Sequence, residues 1–160
     1  MNKKAVLVCL MLLAILPSTA FSQDRISLAF GWPVVMSDTT WDDLGATIRL
    51  GYGHGWKPTE QIGIGADLVV VSPTNTPHPS LQAVLSGGYR LIPKLSLGGG
   101  VSYQINPPYQ GQWSNFLGFG FGPTISLPAG MSFSLITGPG ITLEKDLWTW
   151  IFQPKFSFSF

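Results

Sequence analysis

The segment 152–160 has an apolar residue at every second position. Phe152, Phe156, Phe158 and Phe160 occupy four of its five even-numbered positions, and the odd-numbered positions hold Gln, Lys and Ser. Successive side chains of a β-strand point to opposite faces, so a period of two predicts a strand with one apolar and one polar face. The same alternation recurs along most of the chain. The sequence therefore predicts a protein built from amphipathic strands.

The first 22 residues have the features of a secretory signal peptide. Two lysines precede an uncharged apolar run over residues 5–16, and Ala20 and Ser22 are small residues of the kind found at cleavage sites. The run is too short for a transmembrane helix, which needs ~20 apolar residues. We therefore expect residues 1–22 to be removed, which leaves 23–160 as a single domain without cysteine.

The composition of that domain excludes several classes of protein. Without Lys3 and Lys4, seven of the nine basic residues remain against eight acidic ones, so there is no basic surface for nucleic acid. Charged residues form 11% of the chain, against about 25% in soluble domains. The domain also has no apolar run near the ~18 residues that indicate a membrane-spanning helix. A membrane barrel fits both observations, because polar lumen residues alternate with apolar lipid-facing ones.

Eight alternating segments, separated by residues that favour turns, are the predicted strands. They are 25–32, 46–56, 61–71, 81–91, 94–105, 113–127, 131–143 and 147–160. An even number of strands returns both termini to one side, which is the periplasm in bacterial outer-membrane barrels. Connections on the terminal side are short, and those on the other side are longer except at 144–146. The predicted fold is all-β, an eight-stranded antiparallel up-and-down transmembrane β-barrel with both termini periplasmic.

The alternation also predicts what each face of the barrel carries. The outward face has no charge, whereas the inward face carries Gly, Ser, Gln, Thr and five charged residues, which are Arg25, Arg49, Asp67, Arg90 and Lys155. A soluble ligand-carrying barrel of the lipocalin kind has the opposite arrangement. Pro123, Pro139 and Pro154 fall on the outward face. Each removes a ladder donor, so we expect bulges or local register adjustments there.

One ion pair is predicted inside the lumen. If the turn between the second and third strands centres near Pro58, Arg49 and Asp67 lie opposite each other and both point inward. Asp67 is the only acidic residue on the predicted lumen face. Lys155 of the last strand is placed to share it, because the last strand closes against the first.

The sequence offers little for catalysis or metal binding. A nucleophile needs a base within hydrogen-bond reach and a third group to orient that base, and neither His54 nor His78 has such companions nearby in sequence. We assign no catalytic residue, no cofactor and no metal site. Asp38, Asp42 and Asp43 in the first outer loop fit either a solvated acidic loop or a divalent-cation site that bridges lipopolysaccharide phosphates.

The signal peptide, the eight alternating segments and the terminal aromatic strand together resemble the small bacterial outer-membrane barrels of the OmpA/OmpX type. The resemblance is architectural and covers the whole predicted mature chain. It implies that Phe156, Phe158 and Phe160 form the signal that the barrel assembly machinery reads. It also suggests a use for the apolar inward residues of the outer-leaflet half, as a hydrophobic plug or as a pocket for an acyl chain.

We therefore expect an outer-membrane barrel without enzymatic activity, which acts as a membrane component or through its surface loops. The alternative is a lipid A modifying or lipid-binding barrel with an apolar outer-leaflet lumen. The expected partners are outer-membrane lipid and lipopolysaccharide, with the assembly machinery during biogenesis. We expect no nucleic acid, no cofactor and a monomeric state.

Overall fold

The computed structural model describes residues 22–37, 40–43, 45–74, 78–109 and 112–160, so the predicted signal peptide up to residue 21 lies outside it. The described residues form ten antiparallel strands. They are β1 (Ser22–Gly31), β2 (Val34–Ser37), β3 (Thr40–Asp43), β4 (Thr47–Trp56), β5 (Ile62–Pro73), β6 (Ser80–Ile92), β7 (Leu95–Tyr109), β8 (Gln112–Ser126), β9 (Met131–Thr142) and β10 (Leu147–Ser159). No helix in these ranges is long and apolar enough to cross a membrane.

Eight of the strands form a closed barrel. The order is β1-β4-β5-β6-β7-β8-β9-β10, and pairing of β10 with β1 closes the sheet. All eight predicted segments are strands and every pairing is antiparallel, so the predicted all-β, eight-stranded antiparallel barrel is confirmed. The termini and the β4–β5, β6–β7 and β8–β9 turns lie at one end, called the terminal end below. The other connections lie at the opposite end, called the loop end.

The first outer connection contains a hairpin that the sequence analysis assigned to a loop. Strand β2 continues β1 along β10 in one register, because Gly31 faces Lys155 and Val34 faces Phe152. The break between β1 and β2 falls at Pro33, which has no N–H to donate to the ladder. Strand β2 then pairs with β3 in a short hairpin at the loop end.

The barrel is wide for its strand number because its strands are strongly staggered. Cross-strand partners followed once round the sheet return to the first strand twelve residues further along. The path runs Ser22, Trp56, Ile64, Gly87, Gly99, Phe121, Thr137, Phe152, Val34. With ~3.3 Å per residue and ~4.8 Å between strands, this stagger gives a strand tilt of about 45° and a backbone radius of about 9 Å.

The two faces match the alternation in the sequence. Outward apolar side chains are exposed, such as Leu50 (56%), Leu68 (54%) and Phe121 (54%). All five predicted inward charged residues line the lumen. Only two apolar residues in the described part of the chain, Ala29 and Val71, are buried. The protein therefore has an apolar exterior and a polar, partly open interior instead of an apolar core.

The expected bulges at the prolines are wrong. Register is unchanged past Pro123 on β7, and past Pro139 and Pro154 in the β9–β10 ladder. Register shifts occur instead between Arg90 and Ile92 and between Asn106 and Tyr109, close to strand ends. The β8–β9 ladder keeps its register but omits pairs next to Pro123 and Pro139. The missing proline N–H donors are accommodated by the loss of cross-strand pairs, and no extra residue is inserted into either strand.

The short β9–β10 connection is fixed by one carboxylate. Glu144 accepts hydrogen bonds from the backbone amide of Asn115, at 2.7 Å, and from the Asn115 side-chain amide. These bonds favour the ionised form, so the Asn115 backbone amide lowers the pKa of Glu144 below its usual range. The contact ties the turn to the start of β8. Since the folded-state pKa is depressed, the contact is present at neutral pH and is lost as the pH falls through that pKa.

Two glycines allow β8 and β9 to approach closely. A Cβ atom added to Gly122 would overlap the carbonyl oxygen of Leu135, and one added to Gly138 would overlap that of Phe119. In contrast, a Cβ added to Gly63 of β5 would meet nothing within 4 Å. The first two positions require glycine for backbone packing, whereas Gly63 does not.

We predict that Gly122→Ala destabilises the barrel by about 1–3 kcal/mol, because the added methyl group forces the two strands apart. Gly63→Ala is the control. Its expected effect is within about 1 kcal/mol and toward higher stability, because alanine lowers the entropy of the unfolded chain. Urea-induced unfolding of the two refolded variants, followed by tryptophan fluorescence, measures the difference. Equal losses in both would contradict the close approach of β8 and β9.

Candidate functional site in the barrel lumen

The barrel lumen forms a cavity of about 1810 Å³. Its wall is uneven. The inward positions of β7, β8 and β9 are mostly small and include seven glycines, which are Gly98, Gly100, Gly118, Gly120, Gly122, Gly138 and Gly140. The inward charged residues all lie on the other five strands. One side of the lumen therefore offers space, and the other offers charge.

The lumen carries an excess of positive charge. The inward positions of the eight barrel strands hold four basic side chains, Arg25, Arg49, Arg90 and Lys155, against one acidic side chain, Asp67. Asp24, Asp42, Glu60, Glu144 and Asp146 lie at the barrel ends or in the connections. The nearly neutral chain therefore separates its charges, with cations concentrated inside the barrel.

Arg25 and Asp67 form an ion pair across an intervening strand. Arg25 Nε and Nη2 donate to Asp67 Oδ1 at 3.1 and 2.9 Å, and Nη2 donates to Oδ2 at 2.8 Å. Gly53 of β4 lies between them, facing Arg25 on one side and Asp67 on the other. A Cβ added to Gly53 would overlap the Asp67 carboxylate. The bare glycine is therefore what lets the guanidinium reach the carboxylate two strands away.

The predicted Arg49–Asp67 rung is wrong. Arg49 faces Val71, and Asp67 faces Gly53, so the register differs from the predicted one by four residues. The cause is the β4–β5 turn, in which the Thr59 hydroxyl accepts the N–H groups of Gln61 and Ile62 at 3.3 and 3.0 Å. These bonds centre the turn near residue 60 instead of Pro58. A displacement of two residues at the turn moves every cross-strand partner by four.

Arg49 is held in the middle of the lumen by two amides. Its Nη2 donates to Gln82 Oε1 at 2.6 Å, and its Nη1 is 3.4 Å from Gln153 Oε1. The Arg49 Nε atom is buried, and no hydrogen-bond partner reaches it from the described residues. The guanidinium is therefore positioned by neutral side chains and keeps one unused donor.

Lys155 lies close to Arg49 on the same side of the lumen. Lys155 faces Gly31 and Arg49 faces Ala29, so the only inward side chains of β1 between the two cations are small. Neither cation forms an ion pair with any described carboxylate. Lys155 makes no ion-pair contact with Asp67, whose ion-pair contact within the described residues is with Arg25. Asp67 nevertheless lies near enough to act on the Lys155 charge, as do Arg49 and Arg25.

The loop-end half of the lumen is mixed in polarity. All six predicted inward apolar residues line the cavity, which are Val69, Val71, Val84, Phe116, Ile136 and Ile151. Hydrogen-bonded polar residues share the same half, since Gln104 donates to Ser80 and to Asn106 at 3.1 and 2.7 Å. The Phe116 ring lies over Gly118 and Gly140, so it fills space between strands. The apolar residues therefore do not form a continuous pocket for an acyl chain.

The histidines and loop aspartates are not gathered into a site. His54 Nδ1 lies 2.6 Å from Asp24 Oδ1 on the outer face of the terminal end, and its ring packs edge-on against Trp56. His78 is exposed in a loop-end connection. Asp42 is exposed on β3, and Asp38 lies outside the described residues. Within the described ranges, no group of three His, Cys, Asp or Glu residues is arranged to hold a metal ion.

The three aromatic residues predicted as an assembly signal lie on the outer face of β10 and at its end. The Phe156 ring is 5.7 Å from Phe133 and 6.4 Å from Phe158, measured between centroids. Phe160 is 81% exposed, and its backbone exchanges hydrogen bonds with Ile26 of β1 at 2.9 and 3.3 Å. The aromatic strand therefore lies at the seam of the barrel. Its role in assembly stays a prediction.

A closed eight-stranded antiparallel barrel with an apolar exterior and a polar lumen has the architecture of the small outer-membrane barrels. The structure is similar to Neisserial surface protein A, with a TM-score of 0.51, 10% identity and coverage of 87% of this chain and 99% of that one. It also matches Ail from Yersinia pestis (TM-score 0.49, 12% identity, 86% and 97% coverage). A third match is the N-terminal barrel domain of OprF from Pseudomonas aeruginosa (0.43, 14%, 85% and 100%).

No protein-family model and no curated protein matches the sequence. At 10% identity, the likeness to Neisserial surface protein A concerns the fold alone.

We predict that Asp67→Asn destabilises the barrel by about 1–3 kcal/mol, because it strands the Arg25 guanidinium. This is less than the ~3–5 kcal/mol of a fully buried pair, since the Arg25 side chain is 41% exposed and that of Asp67 is 14% exposed. A double-mutant cycle with Arg25→Gln, measured by urea unfolding, should give a coupling of about 1–2 kcal/mol.

The control cycle pairs Asp67→Asn with Arg90→Gln, which removes another lumen cation that has no described ion pair. We expect the two losses in the control cycle to add. A larger coupling energy between Asp67 and Arg49 than between Asp67 and Arg25 would contradict the β4–β5 register described above and favour the register predicted from the sequence.

Proposed function

We propose that the protein is an integral component of the bacterial outer membrane, with both termini and the short turns on the periplasmic side. The observation that supports this most directly is the continuous band of exposed apolar side chains around the barrel. Soluble monomers rarely expose an apolar patch larger than a few hundred Å². In a bilayer the same band faces hydrocarbon, and closure of the sheet leaves no strand edge within it.

The height of the band suits a membrane. On β10, outward apolar residues extend from Trp148 to Phe160. Twelve residues at ~3.3 Å and a tilt of about 45° cover about 28 Å along the barrel axis, close to the ~25 Å apolar band of outer-membrane barrels. Within the band, Trp150 Nε1 donates to Thr137 Oγ1 at 2.7 Å, so this indole N–H has a protein partner.

Aromatic residues mark both ends of the band. Trp32, Trp113 and Trp148 are exposed near the loop end, and Tyr89 and Phe160 near the terminal end. Amphipathic rings are favoured at the two membrane interfaces, where the ring body contacts acyl chains and its polar edge contacts headgroups. The positions of these rings support a spanning orientation with the strand ends at the two surfaces.

We propose a non-enzymatic role for this component. His54 is engaged by Asp24 at the outer face of the terminal end, and no described hydroxyl hydrogen-bonds to either His54 or His78. The mixed polarity of the loop-end lumen also disfavours acyl-chain chemistry there. A nucleophile, a base and an orienting group are thus not brought together among the described residues. This arrangement supports a structural or surface role.

The part of the molecule best placed for a surface role is the β2–β3 hairpin. It extends from β10 at the loop end, and Trp41 on β3 is 58% exposed. Within the described chain, β3 is the last strand of the sheet and has β2 as its single neighbour. The barrel itself is closed, which favours a monomer in the membrane and leaves contacts with partners to the loop end.

Membrane residence predicts a large penalty for a charge in the band. Leu85, 46% exposed, lies near the middle of β6. We predict that Leu85→Arg lowers the free energy of unfolding in liposomes by about 2–4 kcal/mol, the cost of arginine near the bilayer midplane. Gln61→Arg, in the exposed β4–β5 turn, should change it by no more than about 0.5 kcal/mol.

The measurement is urea-induced unfolding of the refolded variants in lipid vesicles. An exposed leucine of a soluble protein tolerates arginine within about 0.5 kcal/mol. Equal and small effects of Leu85→Arg and Gln61→Arg would therefore contradict a lipid-facing band and, with it, the proposed location.

A further inference from the structure

Two neighbouring cations in the lumen, Arg49 and Lys155, have no described ion-pair partner of the kind that Arg25 has in Asp67. Arg25 and Asp67 lie two strands apart and pair across Gly53. Arg49 on β4 and Lys155 on β10 also lie two strands apart, across the small β1 residues Ala29 and Gly31. Here both members are positive, and no described carboxylate completes the arrangement.

We propose that Arg49 and Lys155 form a binding site for a small oxyanion of the phosphate class in the middle of the lumen. Two like charges held close together in an interior of low dielectric repel each other, and each has lost part of its hydration. A bound anion removes both penalties at once. This inference rests on the lumen and not on the role of the surface loops.

The donors needed by an oxyanion are present and unused. The buried Nε of Arg49 has no partner among the described residues. The Lys155 ammonium brings three donors, and the Gln153 side-chain amide nitrogen lies beside Gly31, the β1 partner of Lys155. Charge-assisted hydrogen bonds from guanidinium and ammonium groups to phosphate oxygens are among the strong ones in proteins. Three side chains from two strands therefore supply hydrogen-bond donors on this side of the lumen.

The site also has space and an access route. Arg49, Lys155 and Ala29 line the cavity of about 1810 Å³, as do glycines of β7–β9, whereas the lumen side of Gly31 is covered by the side chains of Gln153 and Thr47. At the terminal end the wall is open, since a Cβ added to Gly63 meets nothing within 4 Å. Toward the loop end, Arg49 is joined to both Gln82 and Gln153. Entry from the terminal end is thus the less obstructed path.

The position in the barrel favours a free anion over a lipid headgroup. Gln153 and Lys155 lie in the middle of β10, whose outward neighbours belong to the apolar band. A lipid phosphate is held at the membrane surface by acyl chains outside the barrel wall. A soluble oxyanion that diffuses through the lumen has no such restraint.

The test is phosphate binding to the refolded mature barrel in a sugar-based detergent, followed by titration calorimetry at constant ionic strength. We expect saturable binding of inorganic phosphate with one site per barrel, and competition by sulfate but not by chloride. Lys155→Gln should weaken the phosphate Kd by roughly tenfold or more, the effect of losing one charge-assisted contact. Lys94→Gln removes one positive charge from an exposed turn and should leave the Kd within about twofold.

Thermal unfolding of the wild-type barrel keeps the proposal testable if Lys155→Gln does not fold. Phosphate should raise the unfolding temperature of the wild-type protein relative to chloride at equal ionic strength, because a ligand that binds only the folded state stabilises it. Absence of saturable phosphate binding by the wild-type protein would overturn the site. Equal weakening by Lys94→Gln and Lys155→Gln would also overturn it, by assigning the effect to net charge.

Discussion

The closure of β10 on β1 is the interaction on which the rest of the structure depends. Five consecutive pairs, from Ser27 with Ser159 to Gly31 with Lys155, join the two strands, and Ile26 and Phe160 add two backbone hydrogen bonds. Closure removes the strand edges that lipid cannot satisfy. It also fixes the twelve-residue stagger, and through it the tilt and the radius of the barrel. The width of the lumen and the separation of its charges follow from that single register.

Glycine then determines which lumen charges meet. In a narrow, filled barrel the inward side chains of adjacent strands would separate residues two strands apart. Here the intervening positions are bare or small, Gly53 in one case and Ala29 with Gly31 in the other, so side chains reach across a whole strand. The same device produces opposite results. It completes a salt bridge at Arg25 and Asp67, and it brings two cations together at Arg49 and Lys155.

The sequence predicted which residues form strands, and which of them face the lumen, better than it predicted their cross-strand partners. The period of two along a β-strand explains this difference. The turn at Thr59 moved the β4–β5 register by four residues, which is an even number. An even error leaves every inward residue inward, so Arg49 and Asp67 were correctly placed in the lumen. It nevertheless assigns each residue to the wrong rung. Hydrophobic alternation therefore carries information about faces, while the rung depends on a hydroxyl contact within one turn.

Two other differences have local causes of the same kind. The β2–β3 hairpin was assigned to a loop because Pro33 follows the predicted strand 25–32, yet the chain resumes pairing with β10 at Val34. The effect of prolines on a ladder depends on whether the neighbouring strand can do without the bond. At Pro154 the partner strand continues in register, and Trp32 still donates to the Pro154 carbonyl oxygen at 3.1 Å. The position of a proline in the sequence therefore does not predict whether the ladder continues past it or is interrupted.

The scarcity of buried apolar side chains shows where the stability of this barrel must come from. Only Ala29 and Val71 are buried apolar residues in the described ranges, so side-chain packing inside the barrel contributes little. Glycines within the strands lower the stability of the barrel further, by roughly 0.5–1 kcal/mol each relative to alanine. The compensating term is the backbone ladder, because an unsatisfied amide costs several kcal/mol in hydrocarbon and far less in water. A chain with a glycine-lined lumen is therefore stable as a closed sheet in a membrane, and the same sequence would lack a core in water.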